Sequence, residues 1–207
     1  MGVNVLATRI LANASPALCA GLGVPKGNPA LALLTTDCDD ATYIALDEAT
    51  KAAQVQVCYS RSFYAGAANA STPYAGEVIG ILSAPTPGAV RSGLEAALGA
   101  LKRLGFQEVG GVPYLAHTVA SCGSFLAKEA GVREGTALAY LIAPPLESMF
   151  AMDAALKAAD VKLCKLYAPP SETNFGGGLL TGTRSACEAA AAAFAAGVAA
   201  VSQKPKE

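Results

Sequence analysis

An α+β chain made of two similar domains in tandem, each a mainly antiparallel sheet packed with helices, is what this sequence predicts. Three observations carry that expectation. One passage occurs twice, the same order of apolar runs surrounds each copy, and a long connection follows each copy at the same place. Ala45–Cys58 reads ALDEATKAAQVQVC and Ala151–Cys164 reads AMDAALKAADVKLC, 106 positions later (151 − 45), with eight of fourteen positions identical. Two Ala-rich helices paired by chance would share alanines. They would not share Asp47/Asp153, Lys51/Lys157, Val55/Val161 and Cys58/Cys164, nor extend without a gap to Leu31–Leu34 on Ala137–Tyr140. Self-similarity at a fixed period marks a repeated structural unit. The expected division is a first domain over 1–104, a linker over 105–113 and a second domain over 114–207.

Taken in order, Val3–Leu11 alternates loosely and reads as a strand. Asn13 or Ser15 can cap a short helix to about Leu22, with Pro16 at its first position. Leu31–Thr35 reads as a buried strand. Asp40 can cap the repeated helix, on which Tyr43, Leu46, Thr50 and Ala53 form one stripe and Asp47 and Lys51 stand at i, i+4. That helix runs straight into a strand at Gln54–Cys58. A long connection, Tyr59–Ala75, leads to a strand at Glu77–Ser83 and a helix at Gly88–Leu104. The second half repeats the plan with strands at Tyr114–Ala120 and Leu138–Ile142, a helix opened by Pro144-Pro145, and a strand at Asp160–Cys164. Its long connection spans Lys165–Gly177, followed by a strand at Leu179–Thr181 and a helix at Ser185–Val201. Gly176–Gly178 are expected to leave this second connection unusually free. Structureless connections beyond about 12–15 residues are uncommon and tend to be functional.

Composition narrows the function. The chain is 53% hydrophobic and 15% charged, below the roughly 25% charge of an ordinary domain. Such a surface points to packing against other subunits. A net charge of −1 with no basic run provides no footprint for nucleic acid. No stretch reaches the ~18 apolar residues of a membrane span, so no membrane partner is expected. No basic-then-apolar leader is read, and a cytosolic location is expected. The six cysteines occur singly, which is thiol usage in a reducing compartment rather than a disulfide framework or metal knuckle. His117, the one histidine, falls on an expected strand and reads as structural. No phosphate-binding loop or nucleophile elbow is found.

Acids are the exception. Asp37, Asp39 and Asp40 cluster where a strand meets the first repeated helix, and Glu77 opens a strand after the long connection. A helix dipole alone accounts for acids at that end. The functional reading is an acidic pocket suited to an ammonium group or a divalent cation. A metal-dependent enzyme using Asp39, Asp40 and Glu77, and a soluble regulatory module sensing a small amine, are the two rival readings.

Several stretches carry a family likeness: DDATYIALDEATKAA (39–53), RSFYAGAA (61–68), AGEV (75–78), AYLIAPPLE (139–147), DAALKAADVKL (153–163), PPSETNF (169–175) and the Ala-rich 184–200. Together they resemble the bacterial microcompartment shell proteins of ethanolamine utilisation, over about residues 3–203. The resemblance implies two tandem, circularly permuted, ferredoxin-like BMC domains and a structural protein rather than an enzyme. It implies a homotrimer forming a pseudo-hexameric tile, joined edge to edge to other shell proteins of the compartment. Its two long loops would surround a gated central pore for substrate or cofactor passage. The matching loop positions are Arg61, Phe63, Tyr64 and Asn69, and Glu172, Thr173, Asn174 and Phe175. Ethanolamine binding between the two domains is implied at Asp39 and Glu77, with Phe106 and Thr173 as further positions. No cofactor and no metal are expected.

Overall fold

The computed structural model describes residues 1–63, 74, 76–169, 171 and 173–206. Two compact units emerge: one comprises Gly2–Leu104 with Gly123–Leu126, the other Met1, Gly105–Cys122 and Ala127–Glu207.

The first unit holds a four-stranded antiparallel sheet in the order β1-β2-β4-β3, with β1 at Val5–Leu11, β2 at Ala30–Thr36, β3 at Gln56–Ser62 and β4 at Val78–Ala84. Alternation along β2 decides what lies on each face. Ala30, Ala32 and Leu34 face α2 (Asp39–Ala52) and α3 (Pro87–Leu101), in a core with Leu46, Leu82, Val90 and Leu94. Leu31, with Ile81, faces the other way, against Cys19, Leu22 and Val24 of α1 (Pro16–Gly21) and the turn after it. Ser15 caps α1, its Oγ accepting from the Leu18 N–H at 3.3 Å, with Pro16 at the first helical position.

The cap of α2 differs from expectation. Cys38, not Asp40, is the N-cap and makes no side-chain capping bond. Buried threonines pin this turn instead: Thr36 Oγ1 and Thr42 Oγ1 lie 2.7 Å apart, and both donate to the Cys38 carbonyl at 2.9 and 2.8 Å.

The second unit is a five-stranded antiparallel sheet, β5-β6-β7-β9-β8, formed by Gln107–Val109, Val112–Val119, Ala137–Ala143, Gly176–Gly182 and Val161–Tyr167 respectively. Residues 105–113 therefore contain β5 and the start of β6, paired through Gly110 and Gly111, which adopt φ of 56° and 80° as a tight turn requires. Helices α5 (Pro145–Ala158) and α6 (Arg184–Gln203) cover the sheet over Ala139, Leu141, Met152, Leu180 and Phe194. Between β6 and β7 lies α4 (Ser124–Ala130). By length and composition α6 could cross a membrane. Its Cys187, Ala190, Phe194 and Val198 are buried in the core of this unit.

The repeat is visible in detail. Helices α2 and α5 have equal length and end on extended residues of nearly equal dihedrals, Ala53 (φ −145°, ψ 159°) and Ala159 (φ −147°, ψ 157°). Both following strands carry a bulge, at Cys58 and at Cys164. Much of the alanine serves the interior. A Cβ on Gly197 would meet the Ala151 Cα at 2.7 Å, so α5 and α6 cross at backbone contact and larger side chains there would part them.

One expectation is overturned. Gly176–Gly178 are not loop residues but the first three of β9, all buried. They are glycine because neighbours leave no room: a Cβ would lie 1.9 Å from the Leu141 carbonyl at Gly177 and 2.3 Å from the Lys165 carbonyl at Gly178.

Candidate ligand site and loop cluster

Asp39 is the first residue of α2, and Glu77 immediately precedes β4. Glu77 is held by its backbone: its N–H donates to the Thr36 carbonyl at 2.8 Å and its carbonyl accepts from the Phe63 N–H at 2.9 Å. This brings the chain entering β4 against the end of β2, where α2 begins. Gly76 makes the approach possible, because a Cβ there would sit 2.1 Å from the Thr36 carbonyl.

The charges at the start of α2 act on Glu77. Burial pushes the Glu77 carboxyl above its ordinary range, and the charges of Asp39 and then Asp37 push it further. Burial likewise raises Asp39, opposed by hydrogen bonds from Ser62 and from the Asp40 N–H, the latter at 2.9 Å. Asp37 is committed elsewhere, accepting from the Asn4 backbone N–H at 2.8 Å and from Asn4 Nδ2 at 2.6 Å. Asp39 thus acts on Glu77 as a like charge, which adds to the cost of ionising the half-buried Glu77 carboxyl. Among the described residues, no group of three His, Cys, Asp or Glu side chains is placed to hold a metal ion.

In the second unit, the Phe106 ring packs on Phe175 at 5.3 Å between centroids. Ser171 organises the segment before β9: its hydroxyl accepts from the Thr173 N–H at 3.2 Å and donates to the Phe175 carbonyl at 2.7 Å. Thr173 is half-buried and Asn174 exposed. The structure therefore joins Asp39 with Glu77 in one unit, and Phe106 with the Thr173–Phe175 segment in the other.

The loop positions divide. Arg61 lies on β3 rather than in the connection, exposed, with Nη1 donating to the Ser60 carbonyl at 2.9 Å and the guanidinium 5.4 Å from the Tyr59 ring centroid. Phe63, exposed, is the first residue of the connection. Tyr64, Asn69 and Glu172 lie outside the described residues.

Comparison with known proteins decides the family. The BMC domain family matches residues 30–112. The chain is 56% identical over 206 residues to the bacterial microcompartment shell protein EutL of Clostridium perfringens, covering 98% of this chain and 95% of that protein. It belongs to the EutL family of bacterial microcompartment shell proteins. EutL of Salmonella typhimurium is 44% identical, with 98% and 94% covered. The crystal structure of the ethanolamine utilization protein EutL from Leptotrichia buccalis superposes with a TM-score of 0.96 at 54% identity, covering 100% of this chain and 97% of that one. A trimeric shell protein, PduB, shares the fold at 20% identity and a TM-score of 0.81. As an EutL-family member this chain is a structural component of the microcompartment shell, not an enzyme.

Sequence reasoning missed two residues that shape the acid pair in this EutL-family chain. Ser62 hydrogen-bonds to Asp39, and its hydroxyl also meets the Tyr43 hydroxyl. Ser62 is the last residue of β3, and reading the strand four residues longer than Cys58 would have pointed to it. Periodicity places Tyr43 only as one member of an apolar stripe. Its hydroxyl, one turn after Asp39 on the same helix face, was the available signal.

Proposed function

We propose that this chain assembles as a homotrimer whose six domains form a pseudo-hexameric tile joined edge to edge with other shell proteins. The connections at 63–77 and 168–175 surround a central pore that opens and closes. Ethanolamine binds at an acidic site between the two domains, its ammonium group on Asp39 and Glu77, with Phe106 and Thr173 at the other end. The observation that carries this reading is the repeated unit with its long connection at the same strand ends, β3 to β4 and β8 to β9. Two similarly folded units per chain suit a ring in which three chains supply six similar sectors. Family membership supports the shell role, and likeness to an ethanolamine utilization protein supports the ligand.

The chemistry fits an ammonium ion. A carboxylate whose proton affinity is raised by burial and by a second carboxylate is relieved by a shared cation, and charge-assisted hydrogen bonds to it are the strong kind. A ligand biases the pore only by its difference in affinity between open and closed states, commonly about 1–3 kcal/mol. Negative-stain microscopy of concentrated protein tests assembly: extended sheets are expected, and discrete particles at every concentration would overturn it. Calorimetry with ethanolamine on wild type and Glu77→Gln tests the site; equal affinities would remove Glu77 from it.

A further inference from the structure

Two hydroxyls stand behind Asp39, and the direction of their hydrogen bonds follows from what each group can donate. Asp39 is 9% exposed at the start of α2. Its carboxylate accepts from the Ser62 hydroxyl and, at 2.9 Å, from the Asp40 N–H. The Ser62 hydroxyl also meets the hydroxyl of Tyr43, one turn further along α2. A serine hydroxyl has one hydrogen to donate, and an ionised carboxylate can only accept. Ser62 therefore gives its hydrogen to Asp39 and accepts from Tyr43. The chain of bonds runs one way, from Tyr43 through Ser62 to Asp39.

Both hydroxyls are held from behind. Ser62 ends β3, paired with Val78 at the start of β4, and the N–H that follows it, of Phe63, donates to the Glu77 carbonyl at 2.9 Å. Tyr43 is half-buried, and its ring lies 5.9 Å between centroids from that of Phe125, which belongs to the same unit. The segment carrying Phe125 is itself seated on α2, where Asp47 accepts from the Gly123 N–H at 2.7 Å and the Leu126 N–H at 2.8 Å. Packing thus fixes the ring end and the sheet fixes the serine end.

The second copy shows what these hydroxyls are for. Helices α2 and α5 match from cap to cap, and β3 and β8 share a bulge, so the 106-residue shift holds along both. It carries Asp39, Tyr43 and Ser62 to Pro145, Met149 and Ala168. The carboxylate and both hydroxyls disappear together from a copy that keeps the helix and the strand. A hydroxyl that pins the turn survives: Thr42 becomes Ser148, fully buried and donating to the Pro145 carbonyl at 2.9 Å. The fold does without Tyr43 and Ser62, and what those two share is Asp39.

We propose that Tyr43 and Ser62 are positioning residues of the amine site, a one-way hydroxyl relay that holds the Asp39 carboxylate in place as an acceptor for a group bringing N–H donors. The inference rests on the ethanolamine site proposed above and adds residues that act on the ligand only through Asp39. A hydroxyl that accepts one hydrogen bond donates the next more strongly, so the Tyr43 hydroxyl reaches Asp39 across Ser62. The other titratable groups near Asp39 are Glu77 ahead of β4, and Asp37, Cys38 and Asp40 where α2 begins. Asp40 also hydrogen-bonds to Asp39 through its side chain, Asp37 is occupied by Asn4, and burial keeps the Cys38 thiol protonated. Ser62 is thus the strand's contribution to keeping Asp39 charged.

Calorimetry with ethanolamine on the full chain, from about pH 5 to about pH 8, compares wild type with Tyr43→Phe, Ser62→Ala and Ser62→Thr. Tyr43→Phe keeps its ring on Phe125 and should raise the Kd about 3–10-fold, and Ser62→Ala about 10–30-fold. Ser62→Thr restores a hydroxyl and should bind within about 3-fold of wild type. In the two weakened variants the acid limb of the binding profile should also move to higher pH, because a carboxylate that loses a donor holds its proton more tightly. A purely structural role would not move that limb. A wild type that binds ethanolamine and loses affinity in Glu77→Gln, while Tyr43→Phe and Ser62→Ala keep the wild-type limb, overturns the relay and leaves the site standing. Ser62→Thr binding as poorly as Ser62→Ala overturns it as well. A wild type that takes no ethanolamine at any pH overturns the site, and the relay with it.

Discussion

Replacing Gly177 by alanine puts the strongest demand on the fold described above. Gly177 lies in β9, paired with Ile142 on one side and Tyr167 on the other. Its φ is +144°, and a Cβ would lie 1.9 Å from the Leu141 carbonyl oxygen and 2.9 Å from the carbonyl carbon. Backbone cannot swing aside as a flexible side chain can. The unfavourable φ costs about 1–3 kcal/mol, and overpacking at a buried position about 1–3 kcal/mol more. Gly177→Ala should therefore destabilise by about 2–6 kcal/mol. Gly99, in α3, is the internal control: a Cβ there meets nothing within 4 Å and φ is not positive. Gly99→Ala should stabilise by about 0.5–1 kcal/mol through helix propensity. Urea unfolding at one fixed protein concentration, since association adds apparent stability, reads both. At ~1–3 kcal/mol per molar urea, the first variant should lose at least about 0.7 M in midpoint. A Gly177→Ala protein within 1 kcal/mol of wild type would refute the strand assignment and restore the glycine run to a free loop.

Two further outcomes follow from the buried Asp47 and the half-buried Glu77. Asp47→Ala strands the Gly123 and Leu126 N–H groups; each buried unsatisfied donor costs about 1–3 kcal/mol, offset by about 0.5 kcal/mol of helix propensity. A loss of about 1.5–5.5 kcal/mol is expected, with faster hydrogen exchange at those two amides; unchanged exchange would contradict the contact. Glu77 has a folded-state pKa raised by burial, then by Asp39 and Asp37. Proton uptake on folding means its contribution is fully present below the unfolded carboxylate pKa and is lost as pH rises through the raised value. Glu77→Gln should gain on wild type in thermal midpoint between about pH 4 and neutrality, and parallel curves would refute the shift.

The periodic parts of the fold were legible and the close contacts were not. Matching Asp47–Cys58 with Asp153–Cys164 led directly to two helices of equal length with equal exits, because side-chain spacing encodes an element's period and length. The same match misled over Asp47. Both aspartates stand four residues before a lysine, and only Asp153 makes that ion pair. Lys51 pairs with Glu48 while Asp47 is spent on backbone N–H groups distant in sequence. Gly176–Gly178 failed for a related reason. Three consecutive glycines read as conformational freedom when seen alone, yet here each marks an approach by the side chains or backbone of residues elsewhere in the chain. Asp39 and Glu77 were legible as acids flanking element starts. Their proximity depends on Gly76 letting the chain close against Thr36, which no local pattern announces.

Duplication also fixes how many ligands the proposed ethanolamine site can take. Under the 106-residue shift Asp37, Asp39 and Asp40 correspond to Ala143, Pro145 and Leu146. Strand register supplies the last equivalence: Thr36 pairs Val78 as Ile142 pairs Gly177, so Glu77 corresponds to Gly176. Each of these four acids is apolar or glycine in the second copy. Gly176 could not regain one, because a Cβ there would meet Ser148 Oγ at 2.9 Å and the Pro169 ring at 3.1 Å. The carboxylates proposed to hold the ammonium ion therefore occur once per chain, although the fold that carries them occurs twice. Titration calorimetry with ethanolamine should return one site per chain, abolished together by Asp39→Asn and Glu77→Gln. Two equivalent sites per chain would mean that binding follows the repeated fold and not the unrepeated acids, and Asp39 and Glu77 would lose their role.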